Sequence, residues 1–203
     1  TRHFIETAKV LEYGQAVRAA KLMINEMCIE KGFVRHDGTH YYHHLIDVAQ
    51  TLINFGVRDE NIIVAALLHD YVEDVEGITI ATIEKIFNKE VAMMVFFVTK
   101  SRVAFDLNVY LEQIITNQGA SLIKVADRLH NFSNMRAATS LQHKIKQVKE
   151  TEEYYIPFFK LCRKEHSEFS SFFFNAKTTA EALLYLLKEN IRLEQAIRKK
   201  GEQ

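Results

Sequence analysis

Six side chains in this sequence could together hold a metal ion and move a proton. His69 and Asp70 end the apolar run of the segment IIVAALLHDYVED at 62–74, and Glu73 and Asp74 follow four positions later. If the segment is one helix, these four share one surface, because positions three and four apart lie on the same face. An acidic cluster set after a buried apolar stretch is costly without a cation or solvent to receive it. His44 lies 25 residues before His69, and Asp127 lies 57 residues after Asp70, within ADRLHN. Two imidazoles with two carboxylates make a mixed nitrogen and oxygen site, better suited to Mn²⁺, Fe²⁺ or Zn²⁺ than to Ca²⁺ or a thiolate-seeking ion. Each piece alone has a plainer explanation. HD pairs arise by chance, a histidine beside an apolar run is ordinarily a satisfied core residue, and Glu73 and Asp74 could be helix-end acids paired with Arg or Lys. The ordered set His44, His69–Asp70, Asp127 is what points to one metal shell.

The elements that must position these groups are helices. Only seven Gly and one Pro punctuate 203 residues, and apolar residues recur at three and four positions. The spacing predicts an amphipathic helix over 14–31 with Val17, Ala20, Ile24, Met27 and Cys28 inward. The polar loop GFVRHDGTHYY then carries Arg35, His36 and His40 into a second helix, HHLIDVAQTLINF. Asp59 or Glu60 starts the central helix, Thr79 caps ITIATIEKIF, and Asn88 caps the apolar helix through Val98. TKSRVAFD at 99–106 reads as a short exposed connection, followed by a helix from Leu107 to Thr116 and another from Ala120 to about Ala138. Residues 141–162 form a basic then acidic helix that Pro157 should kink or break. The Phe-rich patch at 169–174 is core or a dimer contact, and 177–200 is a closing amphipathic helix.

Length and a 48% hydrophobic content allow one domain, 1–203, with a full core. Lys plus Arg and Asp plus Glu both number 26, so no overall field draws the chain to nucleic acid or to an anionic membrane. Apolar runs at 62–68 and 91–98 are too short to span a bilayer, and no apolar signal core opens the chain. Cys28 and Cys162 form no CxxC pair, which fits free thiols in a reducing, cytoplasmic setting.

Taken together, the chain resembles the HD-domain phosphohydrolases, and among them the hydrolase domain of the RelA/SpoT alarmone enzymes. The matching stretches are Arg35 nine residues before His44, HLIDVAQTL, AALLHDYVEDVEGIT, EVAMMVFFVTK and LIKVADRLHN, covering about 15–160, with the helices at 166–200 completing the fold. The resemblance implies an all-α multi-helix bundle with the metal site between helices. It implies Mn²⁺ held by His44, His69, Asp70 and Asp127, and a water-activating role for Glu73 and Asp74. It also implies removal of pyrophosphate from the ribose 3′ position of ppGpp or pppGpp. Arg35 would contact phosphates or the base, and Asn131 the ribose side. His36 stands where the family has Lys, and Lys100, Arg102 and Lys146 are candidates for the missing charge. Val75 replaces the usual Thr after VED, and FSNMRA follows LHN where the family has MRT, so nucleotide selectivity is the property these changes touch. Without synthetase and regulatory domains, the chain is expected to be a small stand-alone hydrolase that could form a homo-oligomer. Two other readings are an HD phosphohydrolase for another nucleotide phosphate and a catalytically weak nucleotide-binding module.

Overall fold

The computed structural model describes residues 1–100, 105–135 and 139–201. They divide into two compact units, Thr1–Asp127 and Arg128–Gln203. Among the described residues all regular structure is helical, apart from one isolated antiparallel bridge between Val34 and His40.

In the first unit the helices are α1 (Arg2–Val10), α2 (Gly14–Glu26), α3 (Tyr42–Asn54), α4 (Glu60–Leu68), α5 (Tyr71–Asp74), α6 (Ile80–Ile86), α7 (Lys89–Val98) and α8 (Leu107–Ile115). Helix α9 (Gln118–Ser133) begins in this unit and ends in the second. Helix α4 is its centre. Ile62 to Leu68 are all buried, and α2, α3 and α7 pack around it, as a helix apolar on every side requires. The caps follow the expected chemistry. Asp59 accepts from the Asn61 N–H, Thr79 and Thr82 form a reciprocal capping box, and Asn88 accepts from the Val91 N–H.

Three expectations are corrected here. The segment 62–74 is not one helix: α4 ends at Leu68 and the short α5 begins at Tyr71, leaving His69 and Asp70 at the joint. Both joint residues keep right-handed dihedrals, Asp70 at φ −102° and ψ −3°, so the chain bends without turning away. The buried face of α2 is Ala16, Ala19, Ala20 and Met23, not the Val17, Ile24 and Cys28 set, because small residues let α4 approach closely; Met27 is buried just past the helix end. Finally, the polar loop before α3 is folded. After a 3₁₀ turn at Ile29–Lys31 and a left-handed Gly32 at φ +87°, the Val34–His40 bridge makes 34–40 a small hairpin.

The second unit holds α10 (Leu141–Glu150), a π-helical turn (Thr151–Tyr155), α11 (Ile156–Glu165), a 3₁₀ turn (Ser167–Phe169) and α12 (Ser170–Gly201). Pro157 does not end the helix: helical backbone continues from 141 to 165, and the irregularity falls just before Pro157, in the π turn, so that it stands in the first turn of α11. Arg128 clamps that turn, with Nη2 donating to the Gln147 carbonyl at 2.8 Å and the guanidinium 4.1 Å from the Tyr155 ring centre. Phe172 and Phe173 are buried core, and α12 starts at Ser170 rather than 177. No described helix is long and apolar enough to cross a membrane.

Candidate metal centre

Three short stretches of the first unit meet at one point. His44 comes from the first turn of α3, His69 and Asp70 from the α4–α5 joint, and Asp127 from α9. His44 Nε2 lies 3.3 Å from His69 Nε2 and 3.2 Å from Asp127 Oδ1. His69 Nε2 lies 3.2 Å from Asp70 Oδ2 and 3.7 Å from Asp127 Oδ1, and His44 Nε2 lies 3.7 Å from Asp70 Oδ2. Ligand bonds of about 2.0–2.2 Å place neighbouring donors about 2.8–3.6 Å apart in octahedral or tetrahedral geometry, close to the spacing found here; His44, His69 and Asp70 form a group that could hold one divalent ion, with Asp127 beside both imidazoles. The donor set fits as well. Both imidazoles are buried, and the His69 Nδ1–H donates to the Ala66 carbonyl at 2.7 Å, which turns Nε2 toward the carboxylates.

Electrostatics point the same way. Burial alone would drive both imidazoles to low pKa, and at His44 it prevails over Asp127, taking the group down to about 4. At His69 the same burial is outweighed by Asp70 and Asp127, which carry it up to about 10. Burial would raise both carboxylates, yet His69 holds Asp70 low, and the Lys124 ammonium with the two imidazoles holds Asp127 well below its usual range. The cluster thus keeps two ionised carboxylates in a buried place, compensated by a proton on His69. A divalent ion is the natural replacement for that proton.

Glu73 and Asp74 sit on α5 beside the cluster, but they are engaged differently. Glu73 accepts the Lys100 backbone N–H at 3.1 Å and its Nζ at 3.3 Å, just past the end of α7. Asp74 remains exposed as a residue, while desolvation of its carboxyl, then the Asp70 and Glu73 charges, push its pKa up to about 6. Arg35 lies on the hairpin with its guanidinium 5.6 Å from the Tyr41 ring centre, and His36 is exposed beside it. Lys100 is brought to Glu73. Arg102 lies outside the described residues, as does the stretch 136–138 where the α9 helix was expected to end. Asn131 and Lys146 belong to the second unit, Asn131 near the end of α9 and Lys146 exposed on α10 opposite Glu150 at 3.7 Å.

Two residues of the site were missed by sequence reasoning. The Tyr41 hydroxyl donates to Asp70 Oδ2 at 2.8 Å. Lys124, one turn before Asp127 and 6% exposed, donates to Asp127 Oδ2 at 2.8 Å, with its Nζ 5.6 Å from the centre of the Tyr110 ring. The sequence did carry one signal for Lys124, a cation three positions before Asp127 in the mostly apolar segment LIKVAD.

An all-helical unit with histidine, histidine–aspartate and aspartate converging from separate helices defines the HD-domain class. Comparison with known proteins agrees: the HD domain family matches residues 19–118. The guanosine-3′,5′-bis(diphosphate) 3′-pyrophosphohydrolase MESH1 of Danio rerio is 32% identical over 123 residues, 58% of this chain and 68% of that protein. The same enzyme of Mus musculus is 34% identical over 108 residues, 51% of this chain, and the match spans only 60% of its length. A solved metazoan orthologue of SpoT, which hydrolyses ppGpp and plays a role in starvation responses, shares the fold with a TM-score of 0.64. It is 20% identical and covers 85% of this chain and 95% of its own. This chain belongs to the HD-domain family, in the branch that contains MESH1.

Proposed function

We propose that the protein hydrolyses ppGpp or pppGpp at the ribose 3′ position, yielding GDP or GTP and pyrophosphate, in the cytoplasm and with Mn²⁺ as its metal. The observation that carries this is the set of 3.2–3.7 Å contacts among His44, His69, Asp70 and Asp127, in a chain similar to MESH1, which is named for that reaction. These four would hold the ion. When bound, it lowers the pKa of water and screens phosphoryl charge.

The remaining roles belong to the chain's own groups. Asp74, raised toward neutrality, accepts the proton of the attacking water at a carboxylate oxygen. Glu73 orients that water while tethering Lys100, which brings a cation beside the reacting phosphates. Arg35 grips phosphate oxygens, its planar fork suited to a polyphosphate. His36, exposed beside Arg35 on the hairpin, adds charge there when protonated. Water attacks the phosphorus attached to the ribose 3′ oxygen, that P–O bond breaks, and the nucleoside oxygen leaves with GDP.

Purified, metal-loaded protein assayed over a nucleotide panel tests the reading. Pyrophosphate should appear from ppGpp, while GTP, GDP and dGTP stay intact. Hydrolysis in ¹⁸O-labelled water should put the label in pyrophosphate. Rapid turnover of dGTP without action on ppGpp would assign a different nucleotide, and label in GDP would overturn the point of attack.

A further inference from the structure

The hairpin before α3 is built more firmly than a connecting loop needs to be. Gly38, at φ +82°, donates to the Arg35 carbonyl at 2.9 Å, and the Arg35 N–H donates to the Thr39 carbonyl at 2.9 Å. Asp37 Oδ1 accepts from both the N–H and the hydroxyl of Thr39, at 3.1 and 2.6 Å. The base is pinned twice: the Tyr41 N–H donates to the Phe33 carbonyl at 3.1 Å, and His40 Nδ1 accepts the Ile29 N–H at 3.0 Å. The result is a fixed platform that presents Arg35 over the Tyr41 ring.

Tyr41 touches three parts of the site at once. Its ring lies 5.6 Å from the Arg35 guanidinium carbon and meets the His44 ring edge-on at 5.8 Å between centroids. Its hydroxyl donates to Asp70 Oδ2, the oxygen that also faces both imidazoles. Asp70 sits in a break between helices and makes no side-chain capping bond to α5, so its carboxylate takes its direction from this neighbour. We infer that Tyr41 is the positioning residue that joins Arg35 to the metal ligand Asp70. Its hydroxyl sets the Asp70 carboxylate and its ring sets the guanidinium plane. The inference rests on the proposed roles of Asp70 and Arg35 in the same site.

A hydroxyl bonded to a ligating carboxylate fixes the oxygen that faces the ion, and loss of such a partner typically costs about 10- to 100-fold in metal affinity. A ring beneath a guanidinium holds its plane for two-point contact with a phosphate. Because one residue does both, the phosphate grip and the ion are linked, and linkage is reciprocal: whatever loosens Arg35 is felt at Asp70 through Tyr41. Tyr41→Phe keeps the ring and removes only the hydroxyl, whereas Arg35→Lys keeps the charge and removes only the plane.

The test measures Mn²⁺ affinity by chelator competition in the wild type, Tyr41→Phe, Arg35→Lys and the double variant, with thermal unfolding of each metal-free protein alongside. Tyr41→Phe should weaken Mn²⁺ about 10- to 100-fold with an unfolding temperature near wild type. It should also shift the visible spectrum of the Co²⁺-loaded protein, since Asp70 reorients. Arg35→Lys should weaken Mn²⁺ a few-fold in the wild type and not at all in the Tyr41→Phe background. Affinity within twofold of wild type in Tyr41→Phe, or additive effects in the double variant, would overturn the inference. No nucleotide enters these measurements. A protein that showed the metal effects yet left ppGpp intact would sink the proposed function and leave the Tyr41 link standing.

Discussion

Removing the Lys124 ammonium should destabilise the metal-free protein and, against the usual direction, tighten its grip on a divalent ion. Lys124 Nζ lies 2.8 Å from Asp127 Oδ2, with side chains only 7% and 8% exposed, so solvent screens the pair little. Attraction at that distance is about 6 kcal/mol at an effective dielectric near 20, before desolvation is subtracted. Breaking a buried pair by deleting one partner costs about 3–5 kcal/mol, because the survivor is left charged and uncompensated. Asp127 keeps His44 as a partner at 3.2 Å, which puts Lys124→Met at the lower end, about 3 kcal/mol.

With a divalent ion present, Asp127 regains a cation and only a packing loss of about 1 kcal/mol remains. The difference, about 2 kcal/mol, appears as roughly 30-fold tighter metal binding. A chain of this length shifts its unfolding temperature by about 2–4 °C per kcal/mol. In chelator, Lys124→Met should therefore unfold about 6–12 °C below wild type, and saturating Mn²⁺ should close most of that gap. A metal-free loss under about 1 kcal/mol, or a metal affinity that falls in the variant, would refute the charge argument. Tyr41 and Lys124 thus oppose each other: a neutral hydroxyl orients a ligand without competing with the ion, whereas an ammonium orients one and competes.

Metal binding should release a proton near neutral pH, because His69, held up at about 10, must be neutral to bind; titration calorimetry in buffers of different ionisation enthalpy should show release of about one proton per ion. The sign for metal-free stability follows from the same imidazoles. His69, raised in the folded state, contributes stability present below about pH 6.5 and lost as pH rises toward 10, while His44, depressed to about 4, contributes stability present above about 6.5 and lost as pH falls toward 4. Chelator-treated protein should unfold more readily on both sides of neutrality, and a flat profile would contradict it. Asp74 must be ionised to take a proton, so the rate should climb with pH through a limb at or below about 6, and Asp74→Asn should abolish turnover while retaining metal. Gly119→Ala should lose about 1–2 kcal/mol of stability, since the new Cβ would lie 2.2 Å from Met94 Sδ and 3.3 Å from Ile62 Cγ1, and overpacking outweighs the gain in helix propensity; in a Met94→Ala background the same change should cost less, read by chemical denaturation.

The candidate cluster was legible because its members are residue types that packing does not ask for at that place: His44, His69 and Asp127 are buried among Leu, Ile, Val and Ala. Caps were legible because Asp59, Thr79 and Asn88 are short polar residues one to three positions before the first apolar residue of each helix. The break at His69 and Asp70 was hidden because both residues keep right-handed dihedrals, so the apolar periodicity passes through a joint where regular helix lapses. The hairpin was hidden because its bridge closes over five residues, RHDGT, with no alternating pattern.

The residues that set the ligands' directions were harder still to see. Tyr41 stands in a tandem of Tyr and His where any ring could have been the one that matters, and what selects it is a fold outside regular helix. The hairpin places its ring between Arg35 and His44, and the α4–α5 joint places Asp70 against its hydroxyl. Neither joint nor hairpin has a periodic signature, so residue types disclose which groups can bind an ion, while the irregular backbone decides which neighbours aim them. If direction decides, redirecting the Asp70 carboxylate should cost metal before it costs fold. Asp70→Glu, which keeps charge and lengthens the arm by one methylene, should lose the 2.8 Å contact to Tyr41 and with it most of the affinity for Mn²⁺, with unfolding of the chelated protein little changed. Wild-type affinity in Asp70→Glu would mean that charge alone, not direction, makes this site.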